Sequence, residues 1–134
     1  MPNPNPIFIL IDDDLLNNMV FKMTIRNANK DIEVVSHNFP ENGLAYILDT
    51  FLNDNAPNGI LLLDINMPIL SGWEVLDKLN FHSEKIKNNL SIYMLSSSID
   101  HNDKANANNH PLVSGFIEKP LSIDIVLKLL MEKP

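Results

Sequence analysis

The sequence predicts an α/β fold: a doubly wound, five-stranded parallel sheet flanked by five helices. Three observations predict it. Short apolar runs alternate with longer stretches of helical periodicity, five times over. Those runs show little apolar–polar alternation, as strands covered on both faces do. Four of them stop at a polar group of a different kind, as strands do when their carboxyl ends line a crevice.

Ile7–Ile11 is the first strand and runs into Asp12, Asp13 and Asp14. Leu16, Met19, Val20 and Met23 then fall at helical spacing. Residues 32–35 make a short strand, and the polar neighbours Asp31, Glu33 and Ser36 suit an edge position. After Pro40, Leu44, Ile47, Leu48, Phe51 and Leu52 trace one amphipathic helical face. Residues 53–59 are a loop. The third strand, residues 60–63, ends at Asp64.

Ser71-Gly72-Trp73-Glu74 reads as a capping box, with Trp73, Leu76 and Leu79 facing inward from the helix it opens. Residues 82–90 connect to the fourth strand, 92–95, which ends at Ser96. Segment 100–109 is the weakest helix. It offers only Ile99, Ala105 and Ala107 to a core, and its Asn residues are poor helix formers. The last strand, 115–118, runs into Lys119-Pro120. A final helix, capped by Ser122, carries Ile123, Val126, Leu127 and Leu130. The expected strand order is 2-1-3-4-5, the flavodoxin-like order, whose switch point lies between strands 1 and 3. Asp12, Asp13 and Asp64 sit at that point.

The strand ends gather acids, a hydroxyl and an amine around one crevice. Carboxylates hold hard divalent cations, and one can attack a phosphoryl group. A lysine neutralises phosphoryl oxygens, and a small hydroxyl can bond to one. Taken singly, each residue has a plainer reading. Asp12, Asp13 or Asp14 could cap the following helix. Asp64 could be a turn residue ahead of Met67-Pro68. Capping and turns do not explain all of them together at the same end of successive strands.

Composition narrows the field. The 134 residues suit one domain, and a 45% hydrophobic content supplies a core. The net charge of −7 argues against nucleic-acid binding and suits a site of carboxylates and metal. With no Cys there is neither a disulfide framework nor a thiol ligand. No signal peptide and no membrane span are visible, so the expected setting is the cytoplasm. His37, His82, His101 and His110 match no zinc spacing and read as surface residues. The Asn-rich run 102–109 reads as a solvated face. Four glycines, at 43, 59, 72 and 115, form no phosphate loop.

The chain resembles the receiver domain of two-component response regulators over almost its whole length. The resemblance rests on Ile-Leu-Ile-Asp-Asp-Asp at 9–14, Leu-Leu-Asp-Ile-Asn-Met-Pro at 62–68, Ser71-Gly72, Tyr-Met-Leu-Ser at 93–96 and Gly-Phe-Ile-Glu-Lys-Pro at 115–120. Met1–Pro6 alternates Pro and Asn and reads as a loose tail, and the resemblance implies a receiver domain at 7–134. It implies that Asp64 is the phosphoacceptor and that Asp12 and Asp13 serve a metal, Mg²⁺. Asp13 and Asp64 would bind the ion directly and Asp12 through water, since Mg²⁺ keeps several waters. Asn66 would lend its backbone carbonyl to the ion. Ser96 matches the switch hydroxyl, Lys119 the site lysine and Phe116 the switch aromatic. Lys119-Pro120 would be a cis peptide.

The implied function is a signalling module rather than an enzyme. It would take a phosphoryl group from a sensor histidine kinase or a histidine phosphotransfer protein. It would then engage a downstream partner through residues 97–132. Three features depart from the family pattern. Ser97 replaces a common Ala, Phe116 lacks the hydroxyl some members carry, and the helix after Ser96 is rich in Asn. Two alternatives remain. One is an aspartyl-phosphate phosphatase of the haloacid-dehalogenase type, which needs an acid two residues after the nucleophile. Asn66 fails that test after Asp64, although Asp12 and Asp14 show the spacing. The other is a pseudo-receiver that binds partners without phosphorylation.

Overall fold

The computed structural model describes residues 5–97 and 100–132. Five parallel strands lie in the order β2-β1-β3-β4-β5. They are β1 (Ile7–Ile11), β2 (Val34–His37), β3 (Gly59–Asp64), β4 (Leu90–Ser96) and β5 (Val113–Glu118). The helices are α1 (Leu15–Ala28), α2 (Pro40–Phe51), α3 (Gly72–Asn80), α4 (Ser83–Asn89), α5 (His101–Asn109) and α6 (Ile123–Met131). The class and strand order are those expected, with β2 on an edge. The expected tail at 1–6 falls mostly outside the described residues.

Successive side chains of a strand point to opposite faces, so each strand feeds two cores. Ile9, Ile11, Leu61, Leu63, Ile92 and Met94 pack with α2 and α3 on one face. Phe8, Leu10, Ile60, Leu62, Tyr93 and Leu95 pack with Phe21, Ile25, Val126 and Leu129 of α1 and α6 on the other. β3 is buried at all six positions, as a central strand covered on both sides must be.

Two expectations need correction, and the facing of one helix, left open by the sequence, is settled. First, there are six helices among the described residues, not five. Residues 82–90 were expected to be a connection, yet α4 forms there with Ile86 as its one buried residue. One anchor in seven residues leaves no periodicity to read. Second, the apolar stripe of α1 faces outward. Leu16 and Met19 are 66% and 63% exposed, and Leu15, Val20 and Met23 are exposed too. The inner face is instead Asn18, Phe21 and Ile25. Third, His37 is not a plain surface residue. Its ring lies 5.3 Å from that of Tyr46, and burial lowers its pKa.

α3 begins at the expected capping box, with Ser71 accepting from Glu74 N and Glu74 accepting from Ser71 N. Val75, Leu76 and Leu79 are its buried residues. Trp73 is only half-buried, and its Nε1 donates to Asp103 of α5 at 3.2 Å. In α5 only Ala107 is buried; Ala105 is exposed, and Ile99 lies outside the described residues. α6 is capped by Ser122, which accepts from Ile125 N.

Candidate functional site: an acidic crevice with one lysine

Strand register brings the site together. Ile11 pairs with Leu63 across β1 and β3, so Asp12 and Asp64 emerge side by side. Asp64 pairs with Leu95, and Ser96 with Glu118, along β4 and β5. Lys119 N donates to the Ser96 carbonyl at 2.8 Å, which holds the lysine at the end of β5. Lys119-Pro120 is a cis peptide, as expected.

The Lys119 amine bridges two acids. Nζ lies 2.9 Å from Asp12 Oδ2 and 3.1 Å from Asp64 Oδ1. Asp12 and Asp64 are almost fully buried, whereas Asp13 is exposed. Oxygens of Asp12, Asp13 and Asp64 all lie within 4.8 Å of one another. Such a set of hard oxygen donors with no nitrogen or sulfur suits Mg²⁺ or a similar cation. The crowding also carries an electrostatic cost, because three carboxylates share it with one amine.

Asp64 shows that cost. Burial first, and then the Asp12 charge, push its carboxyl up to about 6. The Lys119 charge, its hydrogen bond and the Asn66 main-chain N–H act in the opposite direction. For Lys119, burial disfavours the charged form, but the two carboxylates outweigh it and its pKa is raised.

The remaining expected residues cluster around this core. Asn66 is exposed, just beyond Asp64. Ser96 is fully buried at the end of β4. Phe116 is half-buried, opposite Met94, and packs on the core shared with α2 and α3. Asp14 is the helix cap among the three consecutive acids, accepting from Leu16 N and Asn17 N. That work separates it from Asp12 and Asp13.

Sequence reasoning missed two kinds of contributor. Gly72 packs under the acceptor strand, where an added Cβ would collide with the Asp64 carbonyl oxygen, and its N–H donates to the Ile65 carbonyl at 3.0 Å. The Ser71-Gly72 pair is visible in the sequence, but its steric reason lies in the fold. Asn17 and Asn18 both reach Asp12, by hydrogen bonds of 3.4 and 2.9 Å. An Asn within an apolar stripe gives no such signal.

The profile of the response regulator receiver domain matches residues 8–131. No curated protein matches the chain. Among solved structures, a two-component response regulator from Cytophaga hutchinsonii is 29% identical, with a TM-score of 0.84 and 95% of both chains covered. A response regulator receiver protein from Dyadobacter fermentans is 22% identical, with a TM-score of 0.81 and coverage of 92% of this chain and 93% of that one. The chemotaxis protein CheY4 of Vibrio cholerae is 20% identical, with a TM-score of 0.74 and coverage of 95% and 97%. The last two likenesses speak for the fold alone. Among the described residues, no helix is long and apolar enough to cross a membrane.

Proposed function

Because the chain belongs to the response regulator receiver domain family, we propose that it is a phosphorylation-controlled signalling module with Asp64 as its phosphoacceptor. The observation that carries this reading is the placement of Asp64. It is a nearly buried carboxylate held 3.1 Å from Lys119, inside a cluster of acids that can share a cation. Asp64 Oδ would attack the phosphorus of a phosphohistidine. The P–N bond breaks, a P–O bond forms, and the imidazole leaves; water later hydrolyses the acyl phosphate.

Asp12, Asp13 and Asp64, with the Asn66 carbonyl, would hold Mg²⁺. When bound, the ion offsets charge on the acceptor and the phosphoryl oxygens. Lys119 supplies a second positive charge, aimed at the acceptor oxygen. The chain's role is that of an acceptor and switch rather than an enzyme. The phosphatase reading has less support, because Asp14, the acid at the spacing it needs, is occupied capping α1.

Ser96 and Phe116 form the switch in this reading. Ser96 turns toward the new phosphoryl oxygen, and Phe116, which has no hydroxyl to satisfy, repacks toward the core. α5 follows, since its single buried residue gives it little to hold it in place. The downstream partner would meet residues 97–132. Amide exchange with beryllofluoride and Mg²⁺, a phosphoryl mimic, is expected to change across residues 100–119. Changes confined to the loop after Asp64 would contradict this switch.

The donor side has its own support. The exposed apolar side chains of α1 begin directly after Asp14, beside the exposed Asp13. Large exposed apolar patches mark interaction surfaces, and this one borders the acceptor site. A phosphohistidine-bearing protein seated on it would present its phosphoryl group to Asp64. The double variant Leu16→Glu, Met19→Glu should slow transfer from a protein phosphodonor at least tenfold. Its phosphorylation by acetyl phosphate should stay unchanged, because a small donor needs no docking face. Equal rates with the protein donor would remove α1 from the interface.

A further inference from the structure

Asn18, Phe21 and Ile25 form the buried face of α1. Two are apolar, and the first is an amide that is only 4% exposed. Asn18 Nδ2 donates to the main-chain carbonyl of Asp12 at 2.9 Å. Its Oδ1 is buried and finds no hydrogen-bond partner among the described residues. A half-satisfied buried amide costs stability, so packing alone would favour an apolar side chain there. The adjacent Asn17 places Nδ2 3.4 Å from Asp12 Oδ2. α1 therefore grips Asp12 twice, once by its main chain and once by its carboxylate.

Other contacts complete the hold. Asp12 N donates to the His37 carbonyl at 3.2 Å, and Asp14 N donates to Asp12 Oδ1 at 2.9 Å. Main-chain N and O and both carboxylate oxygens of Asp12 are thus engaged. The same turn carries Asp13, the exposed member of the acid cluster. Left to itself, a cluster of carboxylates this close would spread by mutual repulsion. A neutral amide restrains the turn without adding a positive charge that would compete with a cation for the same oxygens.

We propose that Asn17 and Asn18 are positioning residues that hold Asp12, and the turn bearing Asp13, in the orientation a divalent cation requires. This rests on the metal reading of the acid cluster given above. Asn18 is kept at a core position for that purpose rather than for packing.

Titration of the full chain with Mn²⁺, followed by the paramagnetic resonance of the free ion, tests the proposal alongside melting of the metal-free protein. Asn18→Leu is expected to weaken Mn²⁺ binding about tenfold, the usual scale for residues that orient a ligand. Asn17→Leu, at a half-exposed position, is expected to weaken it several-fold. Neither should lower the melting temperature of the metal-free form, which a purely structural role would do. Wild-type affinity in both variants, or affinity lost only in step with melting temperature, would overturn the proposal. If Asn18→Leu does not fold, Asn17→Leu decides. Absence of Mn²⁺ binding by the wild type would refute the metal reading and this proposal with it. Wild-type binding that both variants retain would refute the positioning role alone.

Discussion

Asp64→Asn is expected to make the metal-free protein more stable at pH 7.5. The carboxyl of Asp64 is pushed up to about 6 in the folded chain, against about 3.9 for an unfolded Asp. Between those two values the native state binds more protons than the unfolded state. Stability therefore falls as pH rises through that window, and the full cost is present above pH 6. A shift of about two units corresponds to roughly 3 kcal/mol. Asn carries no charge, so it removes that cost, and because the value of about 6 already includes the opposing pull of Lys119, the gain is net. The wild type should lose stability from pH 4 to 6 while Asp64→Asn stays comparatively flat, as followed by urea unfolding at several pH values. Parallel curves for the two proteins would show that Asp64 is not strained by its surroundings.

Lys119→Met should act in the opposite direction and at least as strongly. The amine is the cation bridging Asp12 and Asp64, both almost fully buried. Removing one partner of a buried ion pair leaves uncompensated charge and costs about 3–5 kcal/mol. The loss should depend on pH. Without the lysine, the carboxyl of Asp64 rises further and takes up a proton more readily, so the penalty should shrink at pH 5 relative to pH 7.5. Added Mg²⁺ should recover part of it by restoring positive charge to the cluster. Melting curves at the two pH values, with and without Mg²⁺, check this. An equal loss under all conditions would mean that Lys119 stabilises by its hydrocarbon stem rather than by its charge.

The two variants bracket one physical idea. The site is held away from its stability optimum, with more negative charge than its lysine offsets. In the proposed function a cation and a phosphoryl-transfer role would give that imbalance a purpose, in keeping with the tendency of strained charge clusters to mark functional sites.

Much of this was legible in the sequence because the signals are local, unbroken apolar runs that stop at a polar group. Ile7–Ile11 reads as a buried strand from its residues alone, and the polar group at each strand end reads as a crevice once the strands are parallel. The strand order and the convergence of Asp12, Asp64 and Lys119 then follow from the fold. Helix facing was not legible where two apolar stripes compete. In α1, Leu16, Met19, Val20 and Met23 outnumber Phe21 and Ile25, yet the smaller set faces the sheet, together with Asn18, which donates to the Asp12 carbonyl. The outward stripe is exposed, and no periodicity separates an exposed apolar stripe from a buried one. α4 was missed because Ile86 is its single anchor. Trp73 was assigned wholly to the core, but its indole nitrogen needs a partner, and Asp103 supplies one at the surface of α5.

The most direct test is to find where a phosphoryl group lands. The protein is incubated with acetyl phosphate and Mg²⁺, its intact mass is measured, and the modified residue is trapped by borohydride reduction before peptide mapping. A gain of one phosphoryl group that requires Mg²⁺, maps to Asp64 and is absent from Asp64→Asn is the predicted result. A phosphoryl group carried on any other residue, or a gain that persists in Asp64→Asn, would contradict it.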